Sequence, residues 1–143
     1  MADHLQFQRL DPKKDGDWIS VAIFLNGVEL TEILREIEAP YAVEAGHPDL
    51  AGNYGHQTPE ELYQNLTSWE EEVPLLCCDG CGMSGCWSIL VDIQQDDAFV
   101  YWTHFQQNHR EHWHYDLSYQ FPRSEYEAQL EQLRLLTTSP QTV

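Results

Sequence analysis

Four cysteines, Cys77, Cys78, Cys81 and Cys86, fall within ten residues and are the only cysteines in the chain. Thiolates are soft ligands and nucleophiles, so a run this dense suits a metal knuckle or a redox pair; a tight loop of small, easily buried side chains is the third option. Cys78 and Cys81 are separated by two residues, which lets both sulfurs reach one ion, and Gly80, Gly82 and Gly85 allow the backbone turns a knuckle requires. Zinc is the cofactor this spacing would suit, with Cys86 as third ligand and a histidine as fourth. If the segments after the run fold into a hairpin, His104 or His109 returns towards Cys86, so Cys78, Cys81, Cys86 and His109 form the candidate metal set, closed and structural. The pattern is incomplete, because neither a second C-x-x-C nor an H-x-x-x-H at standard spacing accompanies it. Redox use needs a positive charge or a helix N-terminus to favour the thiolate. Asp79 between the cysteines and Glu70, Glu71 and Glu72 before them oppose it.

The segment Trp102 to Tyr115 is the second concentration of chemistry, with His104, His109, His112, His114 and Arg110 among its aromatics. Its histidines could ligate a transition metal, and His109 beside a thiolate could act as the base of a nucleophile pair. Solvated or satisfied interior histidines are the ordinary alternative. Arg110 with Trp113 and Tyr115 suits binding, or an anchor for acids of this same chain, since arginine stacks on rings and forks to carboxylates. His47 and Asp49, in a turn-rich run that reaches Tyr54, are a third candidate, as acid and base or as simple turn caps. The candidate binding residues are therefore His47, Asp49, His104, Arg110, Trp113 and Tyr115.

Elements must position these groups, and the patterning predicts an α+β fold. Trp18 to Leu25 is rich in β-branched and aromatic residues and stops at Asn26-Gly27, a strong hairpin turn. Leu30, Ile33, Leu34 and Ile37 fall at helical spacing, with Pro40 expected to end the helix. Thr58-Pro-Glu-Glu61 reads as a capping box with proline at the first helical position, opening a helix over about 59 to 69. Trp87 to Ile93 and Ala98 to Phe105, the second apolar at almost every position, are strand-like, and the polar turn Gln94 to Asp97 between them predicts a central β-hairpin. Leu117 to Phe121 reads as a further strand, and Ser124-Glu-Tyr-Glu127 as a capping box for a last helix carrying Tyr126, Leu130 and Leu133. The expected whole is one small, mainly antiparallel sheet with three packed helices, in a single domain over 1–143 whose ends, 1–16 and 137–143, are frayed, with Leu5, Phe7 and Leu10 the residues of the first end that could join the core.

Composition narrows the function. At 143 residues, with 42% hydrophobic and 12% aromatic side chains, the chain has the size and content for one packed core. Acids outnumber Lys plus Arg by 24 to 7, and from Glu36 to His109 thirteen acids occur without one Lys or Arg. A field of that sign repels nucleic acid and anionic membranes and attracts basic proteins and cations. No apolar run reaches the ~20 residues of a membrane span and the start lacks a signal-peptide pattern, so a cytoplasmic location with reduced thiols is expected.

The run Gly46-His-Pro-Asp-Leu-Ala-Gly52, the loop Cys81-Gly-Met-Ser-Gly-Cys86-Trp87, and Val100-Tyr-Trp102, Phe105, His109-Arg110, Trp113 and Tyr115 together resemble a group of small acidic bacterial proteins of uncharacterised function, over about residues 18 to 133. The group pairs its first cysteines as C-x-C, where this chain has two residues between Cys78 and Cys81. The resemblance implies that the cysteine loop and the His-Arg segment matter, and adds no reaction. Two functions follow as expectations. One is an acidic interaction protein that binds and neutralises a basic protein, as immunity proteins and antitoxins do. The other is a zinc-dependent or thiol-based enzyme centred on the cysteine loop and His104 to Tyr115. The charge extends over half the chain while each catalytic pattern is incomplete, which favours the first.

Overall fold

The computed structural model describes residues 2–11, 19–52, 54–77, 88–108, 110 and 112–138. Strand β1 (Leu5–Leu10) pairs antiparallel with β2 (Ser20–Leu25), and β2 with the two-residue β3 (Val28–Glu29). Asn26 and Gly27 both take positive φ, 54° and 84°, the geometry of the tight hairpin turn their pairing in sequence predicts. Helix α1 (Leu30–Glu44) follows directly, then a 3-10 turn (Pro48–Leu50) and α2 (Pro59–Ser68). A second antiparallel sheet runs in the order β4 (Val73–Cys77), β5 (Ser88–Gln95), β6 (Phe99–Gln107), β7 (Tyr119–Pro122), and α3 (Arg123–Thr138) closes the chain.

The fold is α+β, with the central hairpin and three helices in place, but the strands form two sheets rather than one. Among the described residues, backbone contacts link the two sheets, partly through the stretch 55–57. Val21 of β2 donates its N–H to the Gln57 carbonyl, Gly55 bridges to Cys77 of β4, and Asp3 donates to the Gln120 carbonyl of β7. The pairings therefore run from β1 round to β7 and back towards β1. Within the stretch expected to fray, β1 is ordered as a strand: Leu5 and Phe7, two of the residues expected to be able to join the core, do enter it, and Asp3 ties the residues before β1 to β7.

Two helix boundaries differ from expectation. Pro40 lies inside α1 rather than ending it. Glu36 and Pro40 are both exposed, so the carbonyl that Pro40 cannot serve lies on the solvent side of the helix. Continuing the helix seats Tyr41 on Trp113, with ring centroids 5.6 Å apart, and buries Ala42. The real stop is Gly46, at φ 83°: its N–H bonds the Val43 carbonyl and the His47 N–H bonds that of Ala42, a Schellman closure. The second difference is at α3, which begins at Arg123, so Ser124 is already helical and Glu127 pairs with Arg123 at 3.0 Å instead of closing a capping box. The capping box of α2, between Thr58 and Glu61, is present as read. At the centre of the second sheet Trp102 is fully buried, packs edge-on against Phe121 and Tyr126, and donates its indole N–H to the Tyr126 hydroxyl at 3.2 Å.

Candidate functional site

The cysteine run begins where three segments meet. Cys77 ends β4, half-buried, opposite Ser88 of β5, and exchanges both backbone hydrogen bonds with Gly55. Asn108, just past β6, accepts the Ser88 N–H on its side chain at 2.7 Å. The hairpin therefore does return residues 107 and 108 to the neighbourhood of Cys77. Cys78, Cys81, Cys86 and His109, the candidate metal set, lie outside the described residues. Among the described residues no group of three or more His, Cys, Asp or Glu is placed to hold a metal.

His104 is not part of that meeting point. Between Leu90 and Asp92 the register of β5 and β6 shifts by one residue, a β-bulge, and His104 has the positive φ of 55° that such an insertion favours. Its exposed ring sits 3.0 Å from an Asp92 carboxylate oxygen, while the other Asp92 oxygen accepts the N–H of Glu72, itself at φ 52°. One aspartate thus engages two residues of positive φ, and the His104 ring stays exposed beside it.

Trp113 and Tyr115, expected at a binding surface, point inward and are buried. Arg110 stands over the Trp113 ring at 5.8 Å and Tyr41 stacks on it, so the arginine-aromatic anchor forms within the chain. His112 and His114 are exposed beside it. His47 and Asp49 are exposed too, His47 in the closure of α1, and Asp49 at a groove of about 520 Å³ lined by Arg35, Ala39, Val43 and Gly52. Among the described residues no contact brings these two together with Cys77 or the 104–115 segment into one site.

Among the described residues the most unusual polar group is one that no sequence pattern singled out. Glu38 is fully buried on α1, at the position where the stripe Leu30, Leu34, Ala42 calls for an apolar residue. Its Oε1 accepts the Gly52 N–H at 2.8 Å, and its Oε2 accepts the hydroxyls of Tyr54, at 2.5 Å, and Tyr115. Tyr54 in turn accepts the side-chain N–H of Gln107 at 3.0 Å. Burial pushes the Glu38 carboxyl above its ordinary range, opposed by the hydrogen bonds from Tyr115, Tyr54 and Gly52. Burial also raises both phenols, with the neighbouring carboxyl adding to it. The readable signal was an acid falling at i+4 on the buried stripe of a helix, together with Gly52 and two tyrosines in the motif segments.

One surface has the character the charge predicts. Trp69 caps α2 with 61% of its surface exposed, and Glu70, Glu71 and Glu72 follow it, all exposed. The Glu70 carbonyl accepts the Ile93 N–H at 2.7 Å, which sets this stretch against the end of β5, where the exposed Asp96 and Asp97 turn the chain into β6. Arg123 reaches the same rim and is engaged by the Asp96 carbonyl and by Glu127. No helix of the described residues is long and apolar enough to cross a membrane. No family model matches the chain, and neither a curated protein nor a solved structure gives a significant match.

Proposed function

We propose that this is an acidic interaction protein, acting in the cytoplasm, that binds and neutralises a basic protein through the rim formed by Trp69, Glu70 to Glu72, Asp96 and Asp97. The observation that carries the reading is Trp69, a large aromatic left 61% exposed and followed by three exposed glutamates. Tryptophan is among the residues most enriched at the energetic centre of protein interfaces, because it removes a large area from water at little entropic cost. The acids that follow it and those of the β5–β6 turn would supply the long-range attraction that speeds encounter with a cationic surface, and would discriminate against acidic partners. The net charge of −17 points the same way.

The test is cross-linking of the full chain in its native host, identification of the bound proteins, and then binding of the purified pair as a function of salt. A basic partner whose association rate falls steeply as ionic strength rises, and whose affinity drops in Trp69→Ala, is the expected result. A partner that binds equally well at all salt concentrations, or one indifferent to both Trp69→Ala and charge reversal at Glu70 to Glu72, would refute it.

A further inference from the structure

Glu38 joins segments that the sequence holds far apart. The groups that face its carboxyl are the Gly52 N–H and the Tyr54 hydroxyl from the stretch after the 3-10 turn and the Tyr115 hydroxyl from the stretch before β7; one bond further on is Gln107 of β6. Among the described residues no lysine, arginine or histidine pairs with it. Tyr54 is followed by Gly55, whose N–H and C=O bond the C=O and N–H of Cys77 at 2.5 and 3.3 Å. From the carboxyl to the root of the cysteine run is therefore one hydrogen bond, one residue step and a backbone bridge.

We infer that Glu38 is a proton-operated clamp, whose protonation state sets the seat of Tyr54 and Gly55 and, through them, the position of Cys77 at the root of the cysteine run. As an anion the carboxyl accepts from all three donors. A proton taken up from solvent turns one of its oxygens into a donor, so one phenol must then send its own O–H elsewhere. Tyr54 has somewhere to send it. The Gln107 Oε1 is buried with no partner while Nε2 bonds the Tyr54 oxygen, and a half-turn of the amide exchanges the two. Two proton arrangements thus exist, each leaving one amide atom of Gln107 unpaired, and they differ in the bonds that hold Tyr54. Burial without a cation favours the neutral acid and the three donors favour the anion. With burial prevailing, the exchange moves above the ordinary carboxylate range.

The experiment is an NMR titration of the full chain between about pH 4 and pH 9, a window that covers the step from ordinary to raised carboxyl values, with Glu38→Gln and Tyr115→Phe alongside. The backbone amides of Gly55 and Cys77 and the side-chain amide of Gln107 are expected to move together through one midpoint above the ordinary glutamate range. Glu38→Gln should abolish that movement, and Tyr115→Phe, which removes one donor to the anion, should shift the midpoint upward. A merely structural glutamate would leave these signals still, and stillness in the wild type overturns the inference without recourse to any variant. Movement that persists in Glu38→Gln, or a midpoint unchanged in folded Tyr115→Phe, overturns it as well.

Discussion

Replacing Glu38 by alanine removes the acceptor of three buried donors in one step. A buried donor left unsatisfied costs about 1–3 kcal/mol. The two phenols can turn to other acceptors, which puts them at the low end, while the Gly52 N–H is fixed by the backbone and cannot. Adding the cavity left by the deleted methylenes and carboxyl gives a total of roughly 4–6 kcal/mol, against about 5–15 kcal/mol for the stability of a whole domain. Glutamine keeps the volume and an acceptor for Gly52 but presents an NH₂ to the two hydroxyls, at a cost of about 1–3 kcal/mol. The pH dependence separates the electrostatic role from packing. Because the folded carboxyl is raised above its unfolded value, its contribution to stability is complete below the ordinary glutamate range and is lost as pH rises through the raised folded value. Glu38→Gln carries no such loss, so its deficit relative to wild type should narrow as pH rises through that window. Urea unfolding of the three proteins at a series of pH values measures both quantities. A cost below about 1 kcal/mol for Glu38→Ala, or a Glu38→Gln deficit that widens with rising pH, would refute this account.

Gly52→Ala should destabilise by about 2–4 kcal/mol in thermal unfolding, through left-handed strain and a clash together: Gly52 has φ 66°, and a Cβ there would meet the Arg35 Cβ at 2.8 Å and the Thr31 carbonyl at 2.9 Å. Asp92→Ala should cost about 1–2 kcal/mol because the Glu72 N–H loses its acceptor, whereas Asp92→Asn, which can still accept it, should cost about half of that; chemical denaturation ranks the two. Trp69→Ala should leave stability within about 0.5 kcal/mol of wild type, given its exposure. The same substitution should weaken partner binding by about 2 kcal/mol, roughly thirtyfold in Kd by calorimetry.

Local chemistry was legible where it acts through neighbours in sequence. The Asn26-Gly27 turn, the Thr58 to Glu61 capping box and the hairpin about Asp96 each depend on residues within a few positions of one another, and all three appear as read. Pro40 misled because a proline's cost of about 3 kcal/mol inside a helix is local, while what offsets it, the Tyr41 ring on Trp113 and the burial of Ala42, comes from seventy residues away or from the core. The capping pattern at Ser124 failed for a related reason. The polypeptide passes from β7 straight into α3 at Arg123, whose N–H is taken by the Ala98 carbonyl of the neighbouring hairpin.

For the candidate sites, residue type alone identified the cysteine run, the His-Arg segment and the acidic stretch, because thiols, imidazoles and carboxylates are recognisable wherever they stand. Where the described side chains point was decided by the tertiary structure. Trp113 and Tyr115 face the core, His104 is bound into a bulge by Asp92, and Glu38, one acid among 24 in the sequence, becomes singular only once the Gly52, Tyr54 and Tyr115 segments close over it. A sequence sets which charges and hydrogen-bonding groups a protein owns. Whether a carboxylate is a solvated surface charge or a buried hub depends on which donors replace its water, and here those donors stand 14 to 77 positions away along the chain.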